Sequence, residues 1–386
     1  MKQATTLIVG ASISGLASAA SLETLGIDYL IIEKHPQIAV PWRNHYDRLH
    51  LHTNKRLSNL PYKKFDKSVP RYPAKQQVVD YLEDYCNCFG IEPAFNTEAK
   101  RIRKEGEQWI TETDRETYCS KYVIMATGAF GKPRPITIKG IETFPGRVMH
   151  SAAYKTGKSF SEEDVLVIGF GNSACEIAID LYEQGAKPFM SVRSPVNIVS
   201  RDIAGIPILE ISHLLSHLPP GIADALTVPI RQLLFGDIDK LGLTKMKYGP
   251  FQQIKKDRTA PVLDIGTIKH IRAGHIKICS EIDFVKGNEV RFKDGKTVTV
   301  STIIGAIGYE TNYAEIVDVD KRRFDDLKLS VDHQKYFGKD GLYFCGYWIA
   351  PTGQIHEIAS DARKIAKDIA GKEEPRRQGD IKNTAR

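Results

Sequence analysis

The sequence predicts an α/β fold of two parallel-sheet units, the second inserted into the first. Three observations carry that reading. An apolar run at 5–9, a glycine turn, a helix from about Ser14 to Leu25 and a strand at 28–33 form one βαβ unit. The same order recurs as a strand at 164–168, a turn from Gly169 to Gly171, a helix to about Glu183 and a strand at 188–193. Two copies so widely spaced indicate two units, not a solenoid. Finally, GLYFCGYW at 341–348 and a helix at 354–370 bring the chain back to a strand and helix after the second unit has ended.

Taken in order, 122–128 (YVIMATG) reads as a strand leaving the first unit, followed by a proline-rich stretch. The second unit opens at Asp164. Residues 206–257 have helical periodicity interrupted by Pro207, Pro219, Pro220, Pro229 and Pro250, and read as a helical insertion. Strands resume at 275–280, at 288–296 with a turn through Asp294-Gly295, and at 297–310. The expected division is 1–155 with 305–370 for the first unit and 160–304 for the second. The polar tail 371–386 is expected to be disordered.

Composition limits the function classes. The chain has 386 residues, 42% hydrophobic and 26% charged, with a formal charge of +7 spread along its length. No basic run is interleaved with aromatics, so nucleic acid is not an expected partner. The opening segment runs straight into a buried strand, without a signal peptide's apolar core, and no uncharged apolar window reaches membrane-spanning length. Six scattered cysteines form no C-x-x-C pair and read as small buried hydrophobes. A cytoplasmic enzyme, monomer or homodimer, without a metal is the expectation.

The two glycine turns carry the chemistry. Gly10-Ala11-Ser12-Ile13-Ser14-Gly15 follows a strand and opens a helix, where free N–H groups and the helix dipole favour a phosphate. Ser12 stands where a glycine would let pyrophosphate approach most closely. Glu33, ending the second strand, is the acid expected on ribose hydroxyls. A tight core turn is the alternative. Gly169-Phe170-Gly171-Asn172-Ser173-Ala174 has the G-x-G-x-x-A form, and its second strand ends in Ser191-Val192-Arg193-Ser194 instead of an acid. A guanidinium there suits a 2′-phosphate, favouring NADP over NAD. Arg193 as a solvated strand end is the alternative. Together the motifs predict two Rossmann-like dinucleotide-binding domains.

Between them, Phe144, Gly146, His150 and Tyr154 form F-x-G-x-x-x-H-x-x-x-Y. With that motif placed just before the second glycine turn, the sequence resembles the flavin-containing monooxygenases, and within them the YUCCA group. Similar stretches include YDRLHLH at 46–52, RYPAKQQVVDYLEDY at 71–85, Ala126-Thr127-Gly128, VRSPVNIVSRDIAG, KYGP, PVLDIG and Ala306-Ile307-Gly308-Tyr309. The resemblance implies FAD around Gly10, Ser12, Ser14, Gly15, Glu33, Lys34, Trp42 and Ala126-Thr127-Gly128, with Gly353 and Gln354 starting a helix that faces the flavin ring. It implies NADPH on Gly169, Gly171, Asn172, Ser173, Ser191, Arg193 and Ser194, the NADPH domain being inserted into a discontinuous FAD domain. Ser12, Ile307, the 51–55 stretch (LHTNK) and the closing loop 347–354 depart from the family pattern, the last two where substrate would sit.

The implied reaction is reduction of flavin by NADPH and addition of O2 to form a C4a-hydroperoxide, which attacks indole-3-pyruvate or a similar 2-oxo acid and releases CO2. His52 and Asn54 are the candidates for polar groups at the flavin edge, Lys55 and Arg56 for the substrate carboxylate, and Asn172 for positioning the nicotinamide. His150 and Tyr154 read as fixing domain geometry. Oxygenation of a soft nitrogen or sulfur centre remains open, as does an electron transferase, an oxidase or a sensor without turnover.

Overall fold

The strand Lys2–Val9 begins exposed and ends in four buried residues, Thr6 to Val9. That gradient arises because parallel strands flank it on both sides, Tyr29–Ile32 and Thr117–Met125. Gln108–Thr113 and Ala99–Glu105 extend the sheet antiparallel, and Val317–Asp318 adds a parallel edge. Leu342–Phe344 pairs with Val123–Met125, beyond the residues that Gln108–Thr113 occupies, so the chain does return to the first sheet. The computed structural model describes residues 1–129, 131–311, 313–318 and 338–373.

Helices Ile13–Thr24, Lys75–Cys88 and Gln354–Lys372 cover one face of this sheet, burying Leu16, Leu82, Ile358 and Ile365 against Ile8, Ile31 and Ile124. The opposite face packs Leu7, Val9, Trp109, Tyr118, Phe344 and Tyr347.

The second sheet is entirely parallel, in the order Lys277–Cys279, Lys187–Ser191, Asp164–Ile168, Thr302–Gly305, Arg147–His150. Helix Asn172–Glu183 buries Ile177 and Leu181 on one face. The antiparallel strands Ile282–Lys286, Glu289–Phe292 and Thr297–Thr299 cover the other through Val285, Val290 and Phe292.

Several expectations shift. The linker motif is not a plain connection: its residues 147–150 form the edge strand of the second sheet. The run 297–310 is three short strands, Thr297–Thr299, Thr302–Gly305 and Tyr309–Glu310, each in a different sheet. The expected strand at 188–193 stops at Ser191, leaving Arg193 beyond it. In the insertion, prolines mostly start helices instead of breaking them. Pro207 caps Ile208–Leu215, Pro219 and Pro220 start Pro220–Phe235, and Pro250 starts Pro250–Asp257, positions where a missing N–H costs nothing. Pro229 alone lies inside a helix. The last helix runs to Lys372, so the first two residues of the expected tail are helical; 374–386 lie outside the described residues.

Candidate active site

The first glycine turn is dictated by contact. Gly10 has φ +106°, and a Cβ there would lie 2.9 Å from the Ala126 carbonyl oxygen. At Gly15 a Cβ would lie 1.8 Å from the Gly10 carbonyl oxygen, so helix and strand meet only through glycine. Glu33 is buried, and its carboxylate accepts the N–H groups of Ala11 at 2.8 Å and His35 at 3.0 Å. Two oxygens carry about four acceptor sites, so the group is oriented while retaining capacity for hydroxyl donors.

Three helices start without side-chain caps: Ile13–Thr24 at Ser12, Asn172–Glu183 at Gly171 and Gln354–Lys372 at Gly353. Each therefore presents free N–H donors, and the first two have no acid in their first turn. Gly171 is informative. Its φ of −93° suits any residue and a Cβ there would meet nothing within 4 Å, so the protein's own packing does not require glycine. The space beside it is open to a ligand. That open cradle, with the uncapped helix behind it, fits a pyrophosphate.

The remaining cofactor-site candidates separate. Arg193 and Ser194 are exposed beyond the strand end, and no hydrogen bond or ion pair engages Arg193 among the described residues. Ser191 is buried, its hydroxyl donating to the Ser280 carbonyl at 2.9 Å, which ties two strand ends together. Ser14 is also buried and sits under Gly346, where a Cβ would lie 2.4 Å from its Oγ. Lys34 is exposed, and Trp42 is half-buried against the first core. The Thr127 hydroxyl pairs with Tyr347, beside Gly128 at φ +80°, and Gln354 Nε2 donates to the Gly346 carbonyl at 3.2 Å.

Both halves meet at a cavity of about 490 Å³. Asn172, Gly353 and Gln354 line it at two helix starts and His52 from a loop, and apolar side chains of the insertion, such as Ile208, Leu226 and Ile230, form its walls. His52 Nε2 pairs with the buried Glu176 carboxylate, across 124 positions of sequence. Tyr46 is buried beside Glu176 and Ser173, and burial pushes its phenol far above the usual range. Asn172 Oδ1 accepts the Leu263 N–H at 2.8 Å, fixing this helix start to the strand Val262–Asp264.

The other catalytic candidates are not brought to the cavity. Asn54 is buried, donating to Glu210 Oε1 at 2.8 Å and accepting the Leu57 N–H at 3.0 Å. Lys55 donates to the carbonyls of Lys67 at 2.9 Å and Val69 at 2.5 Å, so its ammonium holds a loop together. Arg56 is exposed. In the linker, Phe144 is buried, and Gly146 is required because a Cβ would lie 2.1 Å from the Ser301 carbonyl oxygen. Tyr154 donates to Asp180 Oδ2 at 2.6 Å.

Glu176 and Arg231 were not among the sequence candidates. Each had a faint signal, as a lone charge within an otherwise apolar helical stretch (SACEIAI and TVPIRQLLF). All six cysteines are free, and none lines the cavity. Burial pushes the thiols of Cys175 and Cys345 far above their usual range, which suppresses the thiolate that disulfide exchange needs. Among the described residues no acid, histidine and cysteine cluster could hold a metal ion, and no helix is long and apolar enough to cross a membrane.

A family model described as pyridine nucleotide-disulphide oxidoreductase matches residues 7–204. The chain is 36% identical over 380 residues to indole-3-pyruvate monooxygenase YUCCA6 of Arabidopsis thaliana, covering 94% of this chain and 89% of that protein. It is 34% identical over 370 residues to indole-3-pyruvate monooxygenase YUCCA1 of Oryza sativa subsp. japonica, covering 94% and 90%. Among solved structures, a flavin-containing monooxygenase from Stenotrophomonas maltophilia matches with a TM-score of 0.72 at 17% identity, over 96% of this chain and 99% of that one. The bacillithiol disulfide reductase from Staphylococcus aureus matches with a TM-score of 0.68 at 16% identity, over 97% and 100%. Both structural likenesses are of fold alone.

Proposed function

Because the chain belongs to the YUCCA group of flavin-containing monooxygenases, we propose that it converts indole-3-pyruvate, or a close 2-oxo acid, to indole-3-acetate. It is an oxidoreductase that uses FAD, NADPH and O2. The overall change consumes one 2-oxo acid, O2, NADPH and a proton, and yields the shortened acid, CO2, water and NADP⁺. The observation that best supports this is an apolar cavity shared by the helix start at Asn172, the helix start at Gly353 and the insertion.

In this reading the two sheets are two Rossmann-like dinucleotide-binding units, the first for FAD and the second for NADPH. FAD, when bound, takes electrons from NADPH and passes them to O2. The chain's own residues bind, orient and exclude water. Gly10, Ser12 and Gly15 bring the Ile13–Thr24 helix start to the FAD pyrophosphate, and Glu33 accepts from its ribose. Gly169 and Gly171 do the same for NADPH, with Arg193 on the 2′-phosphate. Asn172, held by Leu263, positions the nicotinamide end. The apolar insertion walls keep water from the reacting centre, and His52, oriented by Glu176, offers a ring N–H or lone pair at its edge.

The test is direct. Purified holoenzyme with NADPH, air and indole-3-pyruvate should release CO2 and indole-3-acetate in equal amounts. Consumption of NADPH without indole-3-acetate would overturn the assigned reaction.

A further inference from the structure

We propose that Arg231 is the anchor for the substrate's carboxylate, an assignment that rests on the 2-oxo-acid reading above. Arg231 lies on the insertion helix Pro220–Phe235 and lines the cavity. Of the described residues around that cavity it alone carries a permanent positive charge; its other neighbours there are mostly aliphatic.

How the guanidinium is held points the same way. One terminal nitrogen donates to Asn197 Oδ1 at 2.7 Å. Asn197 is buried and fixed in turn, its amide donating to the Tyr248 carbonyl at 2.9 Å and Gln253 Oε1 at 3.0 Å. The arginine is thus aimed by a neutral acceptor. Asp224, two turns earlier on the same face of the helix, is occupied by the N–H groups of Phe251 at 2.8 Å and Gln252 at 3.0 Å; it favours the charged Arg231 at a distance and forms no ion pair with it. The Arg231 Nε–H is buried and has no hydrogen-bond partner.

A half-buried cation with an unsatisfied donor is costly, and burial lowers its pKa from the usual arginine value. A carboxylate that enters the cavity supplies a counter-charge and acceptor in direct contact with the guanidinium, which Asp224 does not provide. A neutral amine or sulfide brings no charge and no second acceptor for a two-pronged bond. Arg231 therefore selects acids, while the aliphatic walls receive the ring. The sequence candidates for this role are elsewhere: Lys55 holds backbone carbonyls and Arg56 is exposed.

The experiment compares acid and neutral analogues on the FAD-loaded enzyme. In the wild type, indole-3-pyruvate should bind in the absence of NADPH with a Kd about 10-fold or more below that of its methyl ester. R231Q should raise the Kd of the acid by about 10- to 100-fold and leave that of the ester unchanged, with R231K intermediate. Equal Kd values for acid and ester in the wild type, or equal effects of R231Q on both, would overturn the anchor. The wild-type comparison stands even if the variants do not fold. Equilibrium binding of indole-3-acetate against indole-3-acetamide requires no turnover. Preference for the acetate in the wild type, lost in R231Q, with no indole-3-acetate made from indole-3-pyruvate, would sink the assigned reaction and leave the anchor standing. No preference for the acetate would sink the anchor whatever the reaction.

Discussion

His150 Nε2 donates to the Gly308 carbonyl at 3.0 Å, while its Nδ1 accepts the Ala152 N–H at 3.1 Å. The two bonds fix the neutral ring with its proton on Nε2. They also join the linker signature to the A-I-G-Y stretch, just beyond the pairing of Gly305 with His150. Burial holds this imidazole below the usual histidine range, with the Gly308 bond opposing. H150A is expected to lose about 1–2 kcal/mol of stability in urea unfolding, with NADPH oxidation per bound flavin close to wild type.

The same residue sets a pH dependence. Because folding lowers its pKa, its contribution is complete above the unfolded value of about 6.5 and is lost as pH falls through the folded value. The stability gap between wild type and H150A should shrink on acidification. A gap that widens would contradict the neutral-ring assignment.

Two glycines make opposite predictions. G15A places a Cβ 1.8 Å from the Gly10 carbonyl oxygen and should abolish FAD retention or folding. G171A meets nothing within 4 Å and keeps an ordinary φ, so its melting temperature should match wild type. Its KM for NADPH should nevertheless rise about 10-fold, because the methyl fills the phosphate approach. An unchanged KM would remove Gly171 from the cofactor site.

Arg193 is exposed beyond the strand Lys187–Ser191. R193A should leave stability unaltered and weaken NADPH by about 10- to 100-fold, the worth of a charged hydrogen-bonded pair. NADH, lacking the 2′-phosphate, should be unaffected. Equal losses for both nucleotides would remove the arginine from the 2′-phosphate.

Lys55 donates to the carbonyls of Lys67 and Val69. K55M should therefore cost about 1–3 kcal/mol, increase proteolysis between 63 and 70, and leave the KM for indole-3-pyruvate unchanged. A raised KM with intact stability would return the residue to substrate binding.

The sequence by itself determined the α/β class, the two βαβ units and the glycine turns, because each rests on local rules. Apolar runs four to eight residues long, a helix period and backbone positions closed to a Cβ are written in neighbouring residues. Gly10, Gly15 and Gly169 are legible for that reason. The tertiary structure decided what the polar side chains do, since their partners lie far along the chain: His52 with Glu176, Asn54 with Glu210. It also took Lys55 from the cavity and brought Arg231 there, through a helix whose own pattern is merely apolar. A hydrogen bond between distant segments leaves no periodicity, so only the assembled core shows which charges are satisfied and which await a ligand.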